Sequence, residues 1–280
     1  MVGTVTEHVV KKSNLAVRLT TAAVAGPLIL ALLFLGPAWG WYALVLLATA
    51  LAAQELFAMT HGDDRYGQAF GVLGAAALSL TVYFGANDSR IAISGTLAVP
   101  ILMGITTIWR FGSVPSAAMR LMTNIAAPFY IGGLLATLAL LRRDFYDQGP
   151  ALVLLCLLVG WMGDTGGFFF GKYLGKAKLH AIISPKKTVA GLVGSCVFAC
   201  LSAIGMQLTL LETRPLWQLA LLGAAGGAAG QMGDLMESLL KRSTGVKDSG
   251  RLIPGHGGIL DRIDALLVVA PLVYLYAIWA

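Results

Sequence analysis

Several acidic residues in this sequence stand inside or at the edge of apolar runs, at spacings that suit chemistry on phosphate. In AAGQMGDLMESLLKR, Asp234, Glu237, Ser238 and Lys241 fall at i, i+3, i+4 and i+7, so a helix carries them as one polar stripe. Leu235, Met236, Leu239 and Leu240 fill the other faces, which turns the stripe toward a bundle interior or a wet cavity. In GWMGDTGGFFFGK, Asp164 lies well inside another apolar run, with Gly163, Gly166, Gly167 and Gly171 around it. Small residues there let a ligand or a second backbone come close. Asp261 and Asp264, in ILDRID, are i, i+3 neighbours at the head of the last apolar run. Acids also serve as ordinary dipole partners at a helix start. Inside a span, however, an ionisable group costs about 2.5–3.5 kcal/mol on insertion scales and is a functional suspect by default.

Cations accompany these acids. In SPKKT the sequence predicts a helix start, with Ser184 as cap and Pro185 in the first turn. Lys186 and Lys187 then stand at the positive end of that helix, a favourable place for phosphate. The stretch KRSTGVKDSGRLIPGHGGILDRID adds Lys241, Arg242, Lys247, Asp248, His256 and Arg262, with turn-forming Pro254 and glycines between them. A loop histidine means little alone, and lysines beside spans also act as topological anchors. Taken together, grouped carboxylates suit Mg²⁺, a hard cation that completes its shell with water and substrate phosphates. Neighbouring lysines and arginines suit the remaining phosphate charge. That combination at a membrane surface points to phosphoryl or nucleotidyl transfer on a phosphorylated lipid. The residues themselves do not name the nucleotide.

The elements that must position these groups are membrane-spanning helices. Only 12% of the 280 residues are charged and 57% are hydrophobic, whereas soluble domains carry roughly 25% charged residues. Nine apolar runs are long enough to count as spans, at about 19–36, 38–58, 66–85, 91–109, 121–141, 151–171, 188–210, 216–240 and 260–279. Gly36 and Pro37 separate the first two as a tight hairpin. With nine spans and a cytoplasmic N-terminus, sixteen lysines and arginines fall on the cytoplasmic side and four on the other, as the positive-inside rule requires. The predicted fold is therefore an all-α polytopic membrane protein forming one domain over residues 1–280. Residues 1–150 read mainly as scaffold, with Glu55 an acid near a helix end, and residues 151–280 as the catalytic half. The first run reads as a retained span with no evident cleavable signal. The net charge of +6 is assigned to topology, because no soluble basic domain is present to bind nucleic acid. Cys156, Cys196 and Cys200 lie in apolar runs without metal-ligand spacing. Glycine-rich LLGAAGGAAG permits close helix contacts, within the chain or in a homodimer.

The run from Ser238 to Asp264, SLLKRSTGVKDSGRLIPGHGGILDRID, resembles the signature of the phosphatidate cytidylyltransferases, or CDP-diacylglycerol synthases. GDLMES, GDTGGFFFGKYLGK and SPKKT resemble further family segments in the expected order, so the resemblance covers about the last 120 residues; the first half matches in hydropathy and in a QELFAM-like helix end. It departs at Val189 and Ala190, where the family usually has an aromatic residue and a glutamate, which puts the detailed role of that loop in doubt. The resemblance implies reaction of CTP with phosphatidic acid to give CDP-diacylglycerol and pyrophosphate, in phospholipid biosynthesis. It implies Mg²⁺ held by Asp234 and Asp261 with Asp164, and K⁺ as a possible second cation. Lys241, Lys247, Asp248, Arg262 and Asp264 are then expected around the reacting phosphates. Lys186, Lys187, Thr188, Ser238, Arg242 and His256 are expected to bind substrate. The implied location is a bacterial inner membrane, with the site on the cytoplasmic side. Two other readings compete: a CTP-dependent polyprenol kinase, which would release CDP, and a secondary transporter with midplane acids. The confinement of the polar sites to one half, without a visible internal repeat, disfavours the transporter.

Overall fold

A computed structural model describes residues 23–110, 112–250, 252 and 257–280. Helices dominate it. In chain order they are α1 (Ala23–Leu35), α2 (Ala38–His61), α3 (Arg65–Gly85), α4 (Ser89–Arg110) and α5 (Val114–Ala127). A π-helical turn (Pro128–Gly133) continues α5 into α6 (Leu134–Asp144). Then come α7 (Gly149–Tyr173), the strands β1 (Lys178–His180) and β2 (Ser184–Thr188), α8 (Val189–Gln207), α9 (Leu216–Ser243), α10 (Leu260–Ile263) and α11 (Leu266–Trp279). Seven of these segments are long and apolar enough to cross a membrane: α2, α3, α4, α5 through α6, α7, α8, and α10 with α11. The chain is thus a polytopic α-helical membrane protein. Each predicted span has a helix, but described α1 is short and α9, at 28 residues, is diluted by glycine and polar residues.

Two packing features position the site. The first is a set of glycine contacts among α7, α8 and α9. A side chain at Gly166 would collide with the carbonyl of Gly194, and a Cβ on Gly227 would lie 2.5 Å from the Ser195 oxygen. The Ser195 hydroxyl donates to the Gly227 carbonyl at 3.2 Å. Without a hydrophobic driving force between helices in lipid, such close backbone approach is what holds them. It draws Asp164 of α7, the start of α8 and Asp234 of α9 together. The second is Gly233, whose Cβ would stand 2.6 Å from the carbonyl oxygen of Asp264. Only glycine fits there, so the break between α10 and α11 presses directly against the turn of α9 that carries Asp234.

The structure corrects the expected helix start at Ser184. Residues Ser184–Thr188 form β2, paired antiparallel with β1 through Lys178–Thr188 and His180–Ser184. The helix begins four residues later than Pro185 would place it. Thr188 is its cap, with extended backbone and a hydroxyl that accepts from the Gly191 N–H at 3.0 Å. Lys186 and Lys187 consequently precede the cap instead of sitting in the first helical turn. In the first half, Arg142 donates to the carbonyls of Leu33 and Gly36, both at 3.0 Å. It thereby satisfies carbonyls at the end of α1 that have no partner within the helix.

Candidate active site

The polar stripe of α9 faces inward and meets acids from two other segments. Asp234 and Glu237 of α9 and Asp264 can each offer a carboxylate oxygen such that all three atoms lie within 4.8 Å of one another. Asp164 of α7 is within electrostatic reach of Asp234, Lys187 and Arg262, and Asp264 is within reach of both Asp164 and Asp234. Lys187 of β2 binds this group directly: its Nζ lies 2.7 Å from Asp234 Oδ2 and donates to the Gln231 carbonyl at 3.0 Å. Ser238 donates to Asp234 Oδ1 at 3.3 Å.

Lys241 joins this group to a second one. Its ammonium pairs with Glu237 Oε2 and lies 2.7 Å from Asp261 Oδ1. Asp261 Oδ2 accepts from the Ser249 N–H at 3.1 Å and the Gly258 N–H at 2.9 Å. Both oxygens of Asp261 are therefore engaged by donors of the protein, and the trio able to converge on a cation has Glu237 and Asp264 beside Asp234, where the sequence placed Asp261 and Asp164; Asp164 is exposed and lies outside the trio. The i, i+3 spacing of Asp261 and Asp264 could not distinguish them, because backbone donors decide which acid keeps an oxygen unengaged: Asp264 is held through Oδ1 alone, by the Ala265 N–H at 2.8 Å. Glu237 is only 1% exposed; Lys241 is its one cationic donor, Asp261 lies beside it, and no N–H or hydroxyl of the described residues donates to its Oε1. An orphaned buried carboxylate oxygen is costly. Here five acids (Asp164, Asp234, Glu237, Asp261, Asp264) share their surroundings with three cations (Lys187, Lys241, Arg262). Acids outnumber cations by two groups, and the donors left over are hard oxygens. The residues present thus fit a divalent ion of the Mg²⁺ type, with Asp234, Glu237 and Asp264 as the groups that could hold it.

The remaining candidates are dispersed. Arg262 is exposed at the edge of the acid group, and Lys186 is exposed on β2. Lys247 and Asp248 are exposed on the loop after α9 and make no ion pair among the described residues. Arg242 is exposed and donates to the Val246 carbonyl at 3.1 Å. Thr188 is 4% exposed, its hydroxyl committed to the α8 cap. His256 lies outside the described residues. The structure adds Glu55 of α2, whose buried carboxylate reaches the loop after α9 from the opposite half of the chain. Its signals in the sequence were an acid in an otherwise apolar helix and the QELFAM-like helix end that contains it.

Comparison with known proteins identifies the family. Phosphatidate cytidylyltransferases of Staphylococcus saprophyticus and Staphylococcus epidermidis are 44% identical to this chain over 126 and 131 residues. One from Staphylococcus aureus is 42% identical over 131 residues. These matches cover 45–46% of this chain and 48–50% of the relatives, so the chain spans about half the length of the curated relatives it matches. The family model for the cytidylyltransferases extends much further, over residues 16–279. With the carboxylate group, its lysines and the helices that carry them all inside that range, this chain belongs to the cytidylyltransferase family.

Proposed function

We propose that the protein transfers CMP from CTP to phosphatidic acid, giving CDP-diacylglycerol and pyrophosphate, with Mg²⁺ bound by Asp234, Glu237 and Asp264. The convergence of those three acids, flanked by Lys187 and Lys241, in a chain of this family carries the reading. The attacking group is a phosphate oxygen of the lipid, already an anion, so no strong general base is needed. The obstacle is the mutual repulsion of two anions. Bound Mg²⁺ would supply charge neutralisation at the phosphates. The cations of the chain serve the same end: Lys187 and Lys241, fixed by their carboxylates, and exposed Arg262 present fixed positive charge where negative charge builds up. An apolar cavity of about 630 Å³ between α2, α5 and α9, lined by Leu56, Met119, Met122, Tyr130, Met236 and Leu240, falls within the usual size of ligand sites and suits the hydrocarbon part of such a substrate.

In the same reading the chain crosses a bacterial inner membrane nine times from a cytoplasmic N-terminus, with α1 and α9 counted as spans. The site then faces the cytoplasm, where CTP is available. Purified protein in detergent, given CTP, phosphatidic acid and Mg²⁺, is expected to release pyrophosphate and form CDP-diacylglycerol, and a chelator is expected to stop it. Release of CDP instead would show γ-phosphoryl transfer and defeat the proposal.

A further inference from the structure

We infer that Glu55 is a positioning residue for the reaction proposed above: from the opposite half of the chain, it holds together the two ends of the loop that leads into α10 and Asp261. Its Oε2 accepts from the Ser249 hydroxyl at 3.0 Å and from the Leu260 N–H at 2.9 Å, and its Oε1 accepts from the Ile259 N–H at 3.0 Å. These donors lie about 200 residues away in sequence. The loop backbone is moulded to this carboxylate, because a Cβ on either Gly250 or Gly258 would strike it. Glycine is needed at both positions for close approach, one on each arm of the loop.

The same two arms are gripped from the other side. Asp261 takes the backbone N–H of Ser249 and of Gly258, while Glu55 takes the Ser249 hydroxyl and the two N–H groups that follow Gly258. Two acids thus share one pair of loop ends, and Asp261 passes the constraint through Lys241 to Glu237. Leu260 also begins the segment that ends in Asp264, so anchoring Ile259 and Leu260 sets the approach of that acid to Asp234. Glu55 makes no ion pair among the described residues, and both of its oxygens have donors. It therefore acts as an acceptor for the loop, through other residues, and is not itself a ligand of the cation.

Glu55→Gln is nearly isosteric but turns an amide N–H₂ toward donors. Removing a group that orients ligand residues typically costs about ten- to hundredfold in activity or metal affinity. The expected result is a turnover loss of that size, together with a similar rise in the Mg²⁺ concentration at half-maximal rate and little change in KM for CTP. Hydrogen–deuterium exchange should rise at Ile259 and Leu260 while α7 and α8 stay protected. Glu55→Asp should recover part of both effects. Ser249→Ala, which removes one donor and leaves the backbone intact, should shift the Mg²⁺ requirement in the same direction by less. Wild-type turnover and Mg²⁺ dependence in Glu55→Gln would overturn the inference. So would a fall in thermal stability with unchanged kinetics of the folded fraction, or, if Glu55→Gln does not fold, an unshifted Mg²⁺ requirement in Ser249→Ala. Should wild-type protein release no pyrophosphate at all, the proposed reaction fails, and exchange at Ile259 and Leu260 still decides whether Glu55 holds the loop.

Discussion

Asp64, in the turn between α2 and α3, and Asp264, at the break between α10 and α11, are both acids beside helix ends with cations nearby. Their surroundings differ. Asp64 caps α3 by accepting from the Gly67 N–H at 3.0 Å and faces two guanidinium groups, Arg110 at 2.5 Å and Arg120 at 3.4 Å. Arg120 also donates to the carbonyls of His61 and Arg110, so the cluster ties the ends of α2, α4 and α5 together. Here the acid is fully paired and cations outnumber it; the buried atoms left without a partner, Arg120 Nε and His61 Nε2, are nitrogens and not acid oxygens. Around Asp264, acids outnumber cations and the Glu237 Oε1 has no donor. A cluster whose acid is fully paired completes the fold by itself, whereas one with acids to spare is completed by something the chain does not supply.

The largest expected effect tests the unsaturated side. Asp264→Asn should reduce pyrophosphate release by about a thousandfold or more, because electrostatic stabilisation by a bound metal is worth several kcal/mol, and should leave thermal stability unchanged or raised, since it removes one of several mutually repelling acids. Asp261→Asn sharpens the contrast from three residues away. It should also suppress turnover, but it puts an amide against Lys241 and the loop N–H groups. The penalty for leaving such buried donors unmatched is about 1–3 kcal/mol, so the unfolding midpoint should fall in Asp261→Asn only. Equal stability losses in the two variants would erase the distinction between them. A smaller effect belongs to Lys187→Met. It frees Asp234 from its ammonium partner and should lower turnover about ten- to hundredfold, as for other groups that orient a metal-ligating carboxylate. Steady-state pyrophosphate release over a CTP series measures it.

Much of this arrangement was legible before any coordinates. Hydropathy placed the helices because the bilayer requires long apolar runs with internally satisfied backbones. The i, i+3, i+4, i+7 stripe of α9 gave Asp234, Glu237, Ser238 and Lys241 one face, and that face does point inward. Three things were not legible. Whether Asp261 or Asp264 keeps an oxygen unengaged depends on N–H groups of Ser249 and Gly258, which are distant or irregular in the chain. The cap of α8 moved from Ser184 to Thr188 because β2 pairs with β1, a tertiary preference that overrides a local Ser-Pro signal. Glu55 belongs to a half that reads as scaffold, and its donors are mostly backbone groups, which no residue pattern announces.

The cluster around Asp64 supplies the smallest effect and the control. Asp64→Asn should leave pyrophosphate release at the wild-type rate, because neither Asp64 nor its arginines touch the acid group around Asp264. It should lower thermal stability modestly, since the hydrogen bond from Arg110 holds the Asp64 carboxyl below the usual carboxylate range. A carboxyl whose folded pKa lies below its unfolded value of about 3.9 stabilises the folded state above that value. The contribution then fades as pH falls through the folded pKa, because the unfolded chain takes up the proton first. The difference in unfolding midpoint between wild type and Asp64→Asn should therefore be constant near neutrality and close as the pH is lowered below about 4. The arginine partners are partly solvated, with Arg110 side-chain exposure at 41%, so added salt should shrink the same difference at neutral pH. A gap that widened on acidification, or a loss of turnover at neutral pH, would mean that Asp64 is no closed structural cluster and that the contrast with Asp264 is misdrawn.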